Sequence, residues 1–211
     1  MANKPVTVRG HQTRQRILVA ARTVFAREGY LATRMIDVVT AAGISTGAVY
    51  RYFRDKEDLF TAVVGDLHEE LYRVSRSERF SFATDPYDAL YEANLNYLRV
   101  FHQNRHVLRA FREAVAVNER FALVAESMRR RHNVRFVRAC RRLHSITDVD
   151  GVDLSIAAEA LACMVEQASY VWFAEEEKRE NAVSVEDAAR VVARAWYRMV
   201  FDQPEGGSAT L

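Results

Sequence analysis

The chain has 211 residues, of which 49% are hydrophobic and 27% charged, with eight Gly and only three Pro. A chain of this length can bury one good core or join a small domain to a larger one, and so few helix breakers predict a mostly helical protein. No apolar run reaches the roughly 18 residues that a membrane-spanning helix needs, and the N-terminus lacks the apolar core of a signal peptide. We therefore expect a cytoplasmic protein.

The net charge of +2 hides an uneven distribution. Residues 1–62 hold ten Lys and Arg against five Asp and Glu, whereas residues 63–211 hold 20 against 23. This asymmetry is typical of a small module that neutralises phosphates, attached to a larger part with another task. The two cysteines, Cys140 and Cys163, lie in helical patterns, so we expect buried free thiols and neither a disulfide framework nor a cysteine-rich metal site. No cofactor is expected.

The first elements are a polar N-terminal stretch and one helix. Residues 1–10 show no periodicity and are interpreted as a mobile basic arm, which either contacts nucleic acid or has no role. Helix 1 is predicted from near Thr13 to just before Gly29, because one apolar face is formed by Ile17, Ala21, Val24 and Phe25. Arg14 and Arg16 lie off this face, where they either contact phosphate or are solvated.

Two short helices with a tight turn follow. An apolar stripe at helical spacing, Met35, Val38, Val39 and Ala42, ends at Gly43, where a left-handed residue closes a helix. Ser45 is a good N-cap for the next helix, whose inner face is formed by Val49 and Phe53. This pattern matches a helix-turn-helix, whose second helix enters the DNA major groove.

The residues at fixed spacing across this region carry a family resemblance. They are Gly29, Tyr30, Thr33, Met35, Val38, Ala42, Gly43, Ile44, Ser45, Gly47, Tyr50, Tyr52, Phe53, Lys56, Glu57 and Leu59. Together they resemble the N-terminal signature of the TetR family of transcriptional regulators, over roughly residues 13 to 64. Two positions depart from it: Arg34 replaces a usual Thr or Ser, and Val39 replaces a usual Ala.

The resemblance and the residue chemistry predict the DNA contacts. Gly47 and Ala48 let a helix backbone approach base edges closely, and Arg51 can form a bidentate guanine contact. The resemblance implies phosphate contacts at Thr33, Tyr50, Tyr52 and Lys56. At Arg34, where the family usually has a hydroxyl, the arginine either strengthens the phosphate contact or shifts it. The predicted DNA-binding residues are Thr33, Arg34, Ser45, Thr46, Gly47, Ala48, Tyr50, Arg51, Tyr52 and Lys56. For Tyr50 and Tyr52, packing at the edge of the small domain is the alternative.

The rest of the chain is predicted to be helical, with a loop from Ser75 to Pro86 and a turn-rich connection from His144 to Val152. A long fourth helix opens at Asp55, and further helices follow over residues 87–103, 107–117 and 118–143. Residues 154–174 and 185–201 are apolar on more than one side, which favours a homodimer through these two helices. Residues 203–211 are expected to be disordered.

A ligand site in the second part is implied by the resemblance rather than by spacing. Its candidate residues are Tyr97, Phe101, Phe111, Met128, Met164, Gln167, Tyr170 and Trp172, which suit a hydrophobic or amphipathic effector. Ordinary core packing explains the same residue types.

Two other patterns were weighed. His102 and His106 share a helical spacing that could bind a metal, but no further ligand residue completes a site, and no metal is expected. Arg129, Arg130, Arg131, Arg135, Arg138, Arg141 and Arg142 form a basic cluster that binds an anion or pairs with acidic neighbours on a solvated face.

The sequence thus predicts an all-α protein of about nine helices, with a helix-turn-helix DNA-binding domain at 1–62 and an effector-binding and dimerisation domain at 63–211. The expected function is a repressor released from a palindromic operator by a small effector, and the absence of catalytic motifs argues against an enzyme. The alternatives are an activator, an effector-independent regulator, or a helical ligand-binding or interaction module with secondary DNA binding.

Overall fold

The computed structural model describes residues 7–175 and 181–202. Within these ranges the chain forms nine α-helices: α1 (Val8–Ala32), α2 (Met35–Ala42), α3 (Thr46–Tyr52), α4 (Lys56–Val74), α5 (Pro86–Gln103), α6 (Arg105–Val117), α7 (Glu119–His144), α8 (Leu154–Ser169) and α9 (Val185–Val200). A π-helical segment, Tyr170–Ala174, continues α8, and the strands β1 (Asp148–Val149) and β2 (Val152–Asp153) form a short antiparallel hairpin before it. The predicted all-α fold is confirmed. The predicted disordered tail at 203–211 and residues 1–6 of the predicted arm lie outside the described residues.

Helix α1 differs from its prediction at its start. It begins at Val8, where Gly10 N donates to the N-cap Thr7 Oγ1 at 3.1 Å, so residues 8–10 are helical and do not belong to an arm. At the other end Gly29, with φ 78° and ψ 176°, is not helical and interrupts the helix, as predicted, before a short helical segment that ends at Ala32. The apolar face begins only at Ile17, so apolar periodicity could not find the exposed first turns.

The described residues form two compact units. The first unit contains residues 7–69 and 104–124, and the second contains residues 70–103 and 125–175 with 181–202. The first unit therefore does not coincide with the predicted domain at 1–62, because α6 and the first turn of α7 belong to it. The chain passes between the units within α4, at the α5–α6 junction and within α7.

The core of the first unit is built on a cluster of rings. The Phe60 ring centroid lies 4.3 Å from that of Phe25, 5.0 Å from that of Tyr30 and 5.5 Å from that of Phe121. Phe121 at the start of α7 lies 6.3 Å from Phe111 of α6. These contacts explain why α6 and the first turn of α7 pack with the helices that precede the second unit.

The core of the second unit is shared by α5, α7, α8 and α9. Its buried members are Leu90, Val137, Cys140, Leu154, Ala158, Leu161, Val165, Val192, Ala193, Trp196 and Val200. The predicted loop before α5 is held by buried Glu92, which accepts from Ser77 Oγ at 2.5 Å and from Arg79 Nε at 2.6 Å. These two donors hold the pKa of Glu92 at about 2.

The two histidines weighed as metal ligands do not share a helix. His102 ends α5 and His106 lies in α6, with Asn104 breaking the helix between them, so their i, i+4 spacing does not place them on one face. In the part of the chain that the structure describes, no group of three or more His, Cys, Asp or Glu is placed to hold a metal ion. None of the described helices is long and apolar enough to cross a bilayer.

Candidate nucleic-acid interface

Helices α2 and α3 form the predicted helix-turn-helix. Helix α2 ends at Gly43, whose φ of 60° is left-handed and whose N–H donates to the carbonyls of Val39 and Thr40. Ser45 then caps α3, accepting from Ala48 N at 3.3 Å. Between the helices lies a three-residue turn, residues 43–45, because a left-handed glycine and a Ser N-cap stop one helix and start the next.

Two arginines of α1 hold this motif in place. Arg16 Nη2 donates to the Gly43 carbonyl at 3.0 Å, and the Arg14 guanidinium lies 5.4 Å from the Phe53 ring centroid. Both side chains, considered from the sequence for phosphate contact, have contacts within the first unit. Helix α1 is therefore the scaffold that fixes the turn and the end of α3.

Helix α3 has one buried and one exposed face. Val49 and Phe53 are buried in the core of the first unit, whereas Ser45, Thr46, Gly47, Tyr50 and Arg51 are exposed. We call these five residues the α3 surface. Ala48 is half-buried beside them, and Tyr52 is only 9% exposed with the Arg51 guanidinium 5.5 Å from its ring centroid. Of the predicted contact residues, the structure thus groups Ser45 to Arg51 on one short helix.

Gly47 is not required by the fold. It lies in a helical stretch, and a Cβ at this position would meet nothing within 4 Å in the protein. A glycine inside a helix lowers stability by about 0.5–1 kcal/mol relative to alanine. The protein therefore tolerates a destabilising residue on an exposed helix where its own packing would accept a side chain.

Two other predicted DNA contacts, Thr33 and Arg34, lie outside α3. Arg34 is exposed at the start of α2, and its N–H donates to Asp37 Oδ2 at 2.8 Å. Thr33 is only 2% exposed, and its hydroxyl donates to the Gly29 carbonyl at 2.6 Å. That hydroxyl hydrogen is used inside the first unit, so the geometry supports a structural role for Thr33 over the predicted phosphate contact.

Lys56 also has an internal role. Its ammonium donates to the carbonyls of Tyr30 at 2.8 Å and Leu31 at 3.2 Å, near the end of α1, and lies 4.6 Å from the Tyr30 ring centroid. Partial burial lowers the pKa of Lys56. Two of its three N–H groups are thus committed to α1, and its predicted phosphate contact stays a prediction.

The bend in α1 is fixed by α6. Glu113 Oε2 accepts from Tyr30 N at 3.0 Å, and a Cβ on Gly29 would lie only 2.6 Å from that oxygen. Arg22 of α1 also donates to Asn104 Oδ1. Only glycine fits this position, because φ is left-handed and the carboxylate occupies the space of a side chain. Sequence analysis identified Gly29 as a helix end and missed Glu113, since its partner lies 83 residues away.

The predicted ligand residues do not form one group. Tyr97, Phe101 and Tyr170 come together in the second unit, with Phe101 6.2 Å from Tyr97 and 5.3 Å from Tyr170 between ring centroids. Trp172 lies 6.3 Å from Phe173, which itself lies 6.5 Å from Phe101. Phe111 belongs to the first unit, where its ring centroid lies 6.3 Å from that of Phe121.

The remaining predicted ligand residues are peripheral. Met164 is 40% exposed and Gln167 is exposed on the outer side of α8, while Met128 is half-buried. Met164 and Gln167 therefore do not lie in the interior of the second unit, because α8 buries Leu161 and Val165 instead. Apolar composition identified α8 but could not tell its inner face from its outer face, and for the same reason Cys163 was expected to be buried but is exposed.

Several arginines of the basic cluster have partners within the second unit. Arg129 Nε donates to Glu166 Oε2 at 3.0 Å, and Arg141 Nη2 donates to Asp153 Oδ2 at 2.8 Å. Arg135 Nη1 donates to the Tyr72 carbonyl at 2.7 Å, and its guanidinium lies 4.2 Å from the Tyr72 ring centroid. For these three, ion pairs and helix capping explain the basic residues.

Comparison with known proteins agrees with this geometry. Residues 17–63 match the family model described as bacterial regulatory proteins, tetR family. The transcriptional regulator AcrR of Shigella flexneri is 30% identical over 99 residues, 46% of each chain, and TtgR of Pseudomonas putida is 32% identical over 75 residues, 36% of each chain. The matched region thus spans less than half the length of these two relatives.

Two solved structures match over most of the chain. SmeT, the repressor of the Stenotrophomonas maltophilia multidrug efflux pump SmeDEF, is 22% identical with a TM-score of 0.66, covering 90% of this chain and 91% of SmeT. A bacterial regulatory protein of the tetR family from Rhodococcus is 27% identical with the same TM-score, covering 90% of this chain and 97% of that one.

The fold and the α3 surface define a helix-turn-helix protein with a larger helical second part. Residues 17–63 therefore form a helix-turn-helix domain of the kind found in the TetR family of transcriptional regulators, and most of the chain shares its fold with a solved regulatory protein of that family.

Proposed function

We propose that this protein is a transcriptional repressor that binds duplex DNA through the α3 surface. The observation that carries the proposal is Gly47, a glycine on an exposed helix where the protein has room for a side chain. Packing within the chain does not account for it, but close approach of the helix backbone to another surface does. The major groove of B-DNA is wide enough to admit an α-helix.

The neighbours of Gly47 supply the chemistry of DNA recognition. Arg51 is exposed and can form two hydrogen bonds with a guanine, which discriminates against other bases by about 1–3 kcal/mol. Tyr50 and Thr46 are exposed beside it and carry hydroxyls suited to phosphate oxygens. Base contact by Arg51 would provide sequence preference, and the hydroxyls would fix the position of the helix on the duplex.

One short helix contacts too few base pairs for selective binding, so we propose a homodimer through α8 with its π-helical continuation and α9, residues 154–174 and 185–201. Four large apolar side chains are exposed on these helices, with exposures of 60% for Ile156, 40% for Met164, 61% for Val191 and 40% for Met199. Large apolar side chains exposed to water favour association, and helix pairs from two copies form a four-helix interface. A two-fold dimer would then bind a palindromic operator.

The second unit is proposed to control release from DNA. Its aromatic group around Phe101 suits a hydrophobic or amphipathic effector. An effector that binds a DNA-incompetent conformation more tightly shifts the population towards it. The name of SmeT, a repressor of an efflux pump, supports repression over activation for this chain.

A selection from a pool of random duplexes tests the proposal. The full-length protein is incubated with the pool at a fixed salt concentration, and the recovered duplexes are sequenced. We expect enrichment of an inverted repeat with half-sites about one helical turn apart. Recovery of unrelated sequences with steeply salt-dependent affinity would instead identify a basic surface without sequence preference, and would overturn the proposal.

A further inference from the structure

The second unit contains two buried polar atoms without a hydrogen-bond partner. In the described part of the chain these are Asn133 Oδ1 of α7 and Trp196 Nε1 of α9. Trp196 is only 8% exposed. Leaving such a group unpaired destabilises a protein, and most buried polar atoms in proteins are paired. A bound group that pairs with both atoms would remove this penalty.

Both residues are connected with the core of the second unit. Asn133 precedes Val137 and Cys140 by four and seven residues on α7, so it shares their helical face, and both of those residues are buried in the core of the second unit. Phe136, one turn after Asn133, lies 4.4 Å from the Trp196 ring between centroids. Asn133 and Trp196 are therefore both neighbours of Phe136, the first along α7 and the second through ring packing.

Tyr97 of α5 adds a further polar group. Its ring centroid lies 6.1 Å from that of His132, the residue before Asn133, and its side chain packs against the same core as Trp196. Burial raises the pKa of Tyr97, so its hydroxyl stays protonated and can donate. The region thus has an apolar body of rings, two donors and one acceptor.

Charged groups near this region already have partners. Arg129 is paired with Glu166 at 3.0 Å, and Arg135 donates to the carbonyl and hydroxyl oxygens of Ser75. The His132 Nδ1 lies 3.3 Å from Ser75 Oγ. Because these cations already have partners, they do not favour an anionic ligand. The Arg129–Glu166 ion pair has no net charge, so it does not favour a cationic ligand either.

We propose that the second unit binds an uncharged ligand with a hydroxyl or primary amide on an apolar body. This inference rests on the effector control proposed above. Asn133 Oδ1 and Trp196 Nε1 would hold the polar group of this ligand. Such a group donates to the asparagine and accepts from the tryptophan, while the apolar body packs among Phe136, Tyr97 and Trp196. An ether or a hydrocarbon cannot satisfy the asparagine oxygen. Buried water is the competing occupant, since it also donates and accepts.

Isomeric probes test the ligand class without DNA. The chain contains two tryptophans, so Trp172→Phe leaves Trp196 as the only indole fluorophore. Its fluorescence is followed while the full-length protein is titrated with octan-1-ol, with its isomer 1-methoxyheptane, or with octanoate. We expect octan-1-ol to bind about tenfold or more tightly than the ether, because only the alcohol can donate to Asn133. Octanoate is expected to bind more weakly than the alcohol.

The variant Asn133→Leu tests whether the preference for the alcohol over the ether depends on Asn133 Oδ1. The variant should keep or raise Tm, since it removes an unpaired buried oxygen, and should bind the alcohol and the ether with similar affinity. Asn94→Leu is the control, because the Asn94 amide already donates to the Leu90 carbonyl at 2.8 Å, and it should keep the preference for the alcohol.

Three results would overturn the inference: no saturable response to either uncharged probe, octanoate binding as tightly as octan-1-ol, or an unchanged alcohol preference in Asn133→Leu. The first would leave buried water as the occupant. Duplex binding is measured separately, so a protein that fails to bind DNA but discriminates between the probes would contradict the proposed function and leave this site intact.

Discussion

At the residue scale, a side chain at Gly47 is expected to have opposite effects on stability and on DNA affinity. We predict that Gly47→Ala raises the free energy of unfolding by about 0.5–1 kcal/mol, because alanine suits a helix better and its Cβ meets no neighbour in the protein. The same Cβ would hold the α3 backbone away from base edges, so affinity for the selected duplex should fall. Urea denaturation and fluorescence anisotropy measure the two effects.

Gly65 provides the matched control for this prediction. It also lies in a helix of the first unit, and a Cβ there likewise meets nothing within 4 Å. Gly65→Ala should stabilise the protein by a similar amount and leave duplex affinity unchanged. Equal loss of affinity in both variants would show that helix rigidity, not close approach at α3, controls binding.

Glu92 allows a prediction of pH dependence. Its hydrogen bonds to Ser77 and Arg79 hold its pKa at about 2, below the ordinary value for glutamate. A group with a lowered folded-state pKa stabilises the protein above its unfolded-state pKa and loses this effect as pH falls towards the folded-state value. Glu92→Gln should therefore lower the urea midpoint at pH 7 and at pH 5 alike, with a smaller difference by pH 3. A difference that grows on acidification would contradict the assignment.

At the element scale, Lys56 joins the start of α4 to the end of α1. We predict that Lys56→Met lowers the free energy of unfolding by about 1–3 kcal/mol, because two carbonyls lose a charged donor. The salt dependence of duplex binding in the same variant tests the phosphate contact predicted from the sequence. A slope of log affinity against log salt concentration that falls by about one would establish this contact, and an unchanged slope would contradict it.

The helices differ in how far the sequence predicts them. The turn between α2 and α3 was predictable because Gly43 and Ser45 act locally through a left-handed conformation and an N-cap. The start of α1 was not, since its first turns are exposed and have no apolar period. The place of α6 was also not predictable, because it depends on contacts distant in sequence, such as Glu113 with Tyr30 and Phe111 with Phe121.

The residues of the candidate sites could likewise be predicted where they depend on local sequence, but not where they depend on packing between distant helices. Exposed α3 residues could be named from the sequence because a short helix with buried Val49 and Phe53 has only one other face. Asn133 and Trp196 were missed as a pair, since their lack of partners appears only after α7 and α9 are packed. The position of Asn133 on the face of Val137 and Cys140 was the one signal available.

At the scale of the whole molecule, dimerisation is expected to depend on the exposed apolar face of α8 and α9. We predict that Val191→Glu yields a folded monomer with much weaker duplex binding, because Val191 is 61% exposed on α9 and a carboxylate would be buried at the interface. Light scattering after size-exclusion chromatography measures the mass, and circular dichroism measures the fold.

The control for dimerisation is Val152→Glu. Val152 is 47% exposed on the β1–β2 hairpin, outside the two helices of the proposed interface, and its substitution should leave the mass and the affinity unchanged. A Val191→Glu protein that remains dimeric would show that another surface joins the two copies.

The central claim is that Arg51 on the α3 surface specifies a base in each half of a dimeric binding site. The most direct test compares wild type and Arg51→Ala for binding to the selected duplex and to a random duplex of equal length, at the same salt concentration. We predict that Arg51→Ala remains a dimer, loses about 1–3 kcal/mol of discrimination at one position of each half-site, and keeps its affinity for random DNA nearly unchanged. Unchanged discrimination between the two duplexes in Arg51→Ala would contradict the account.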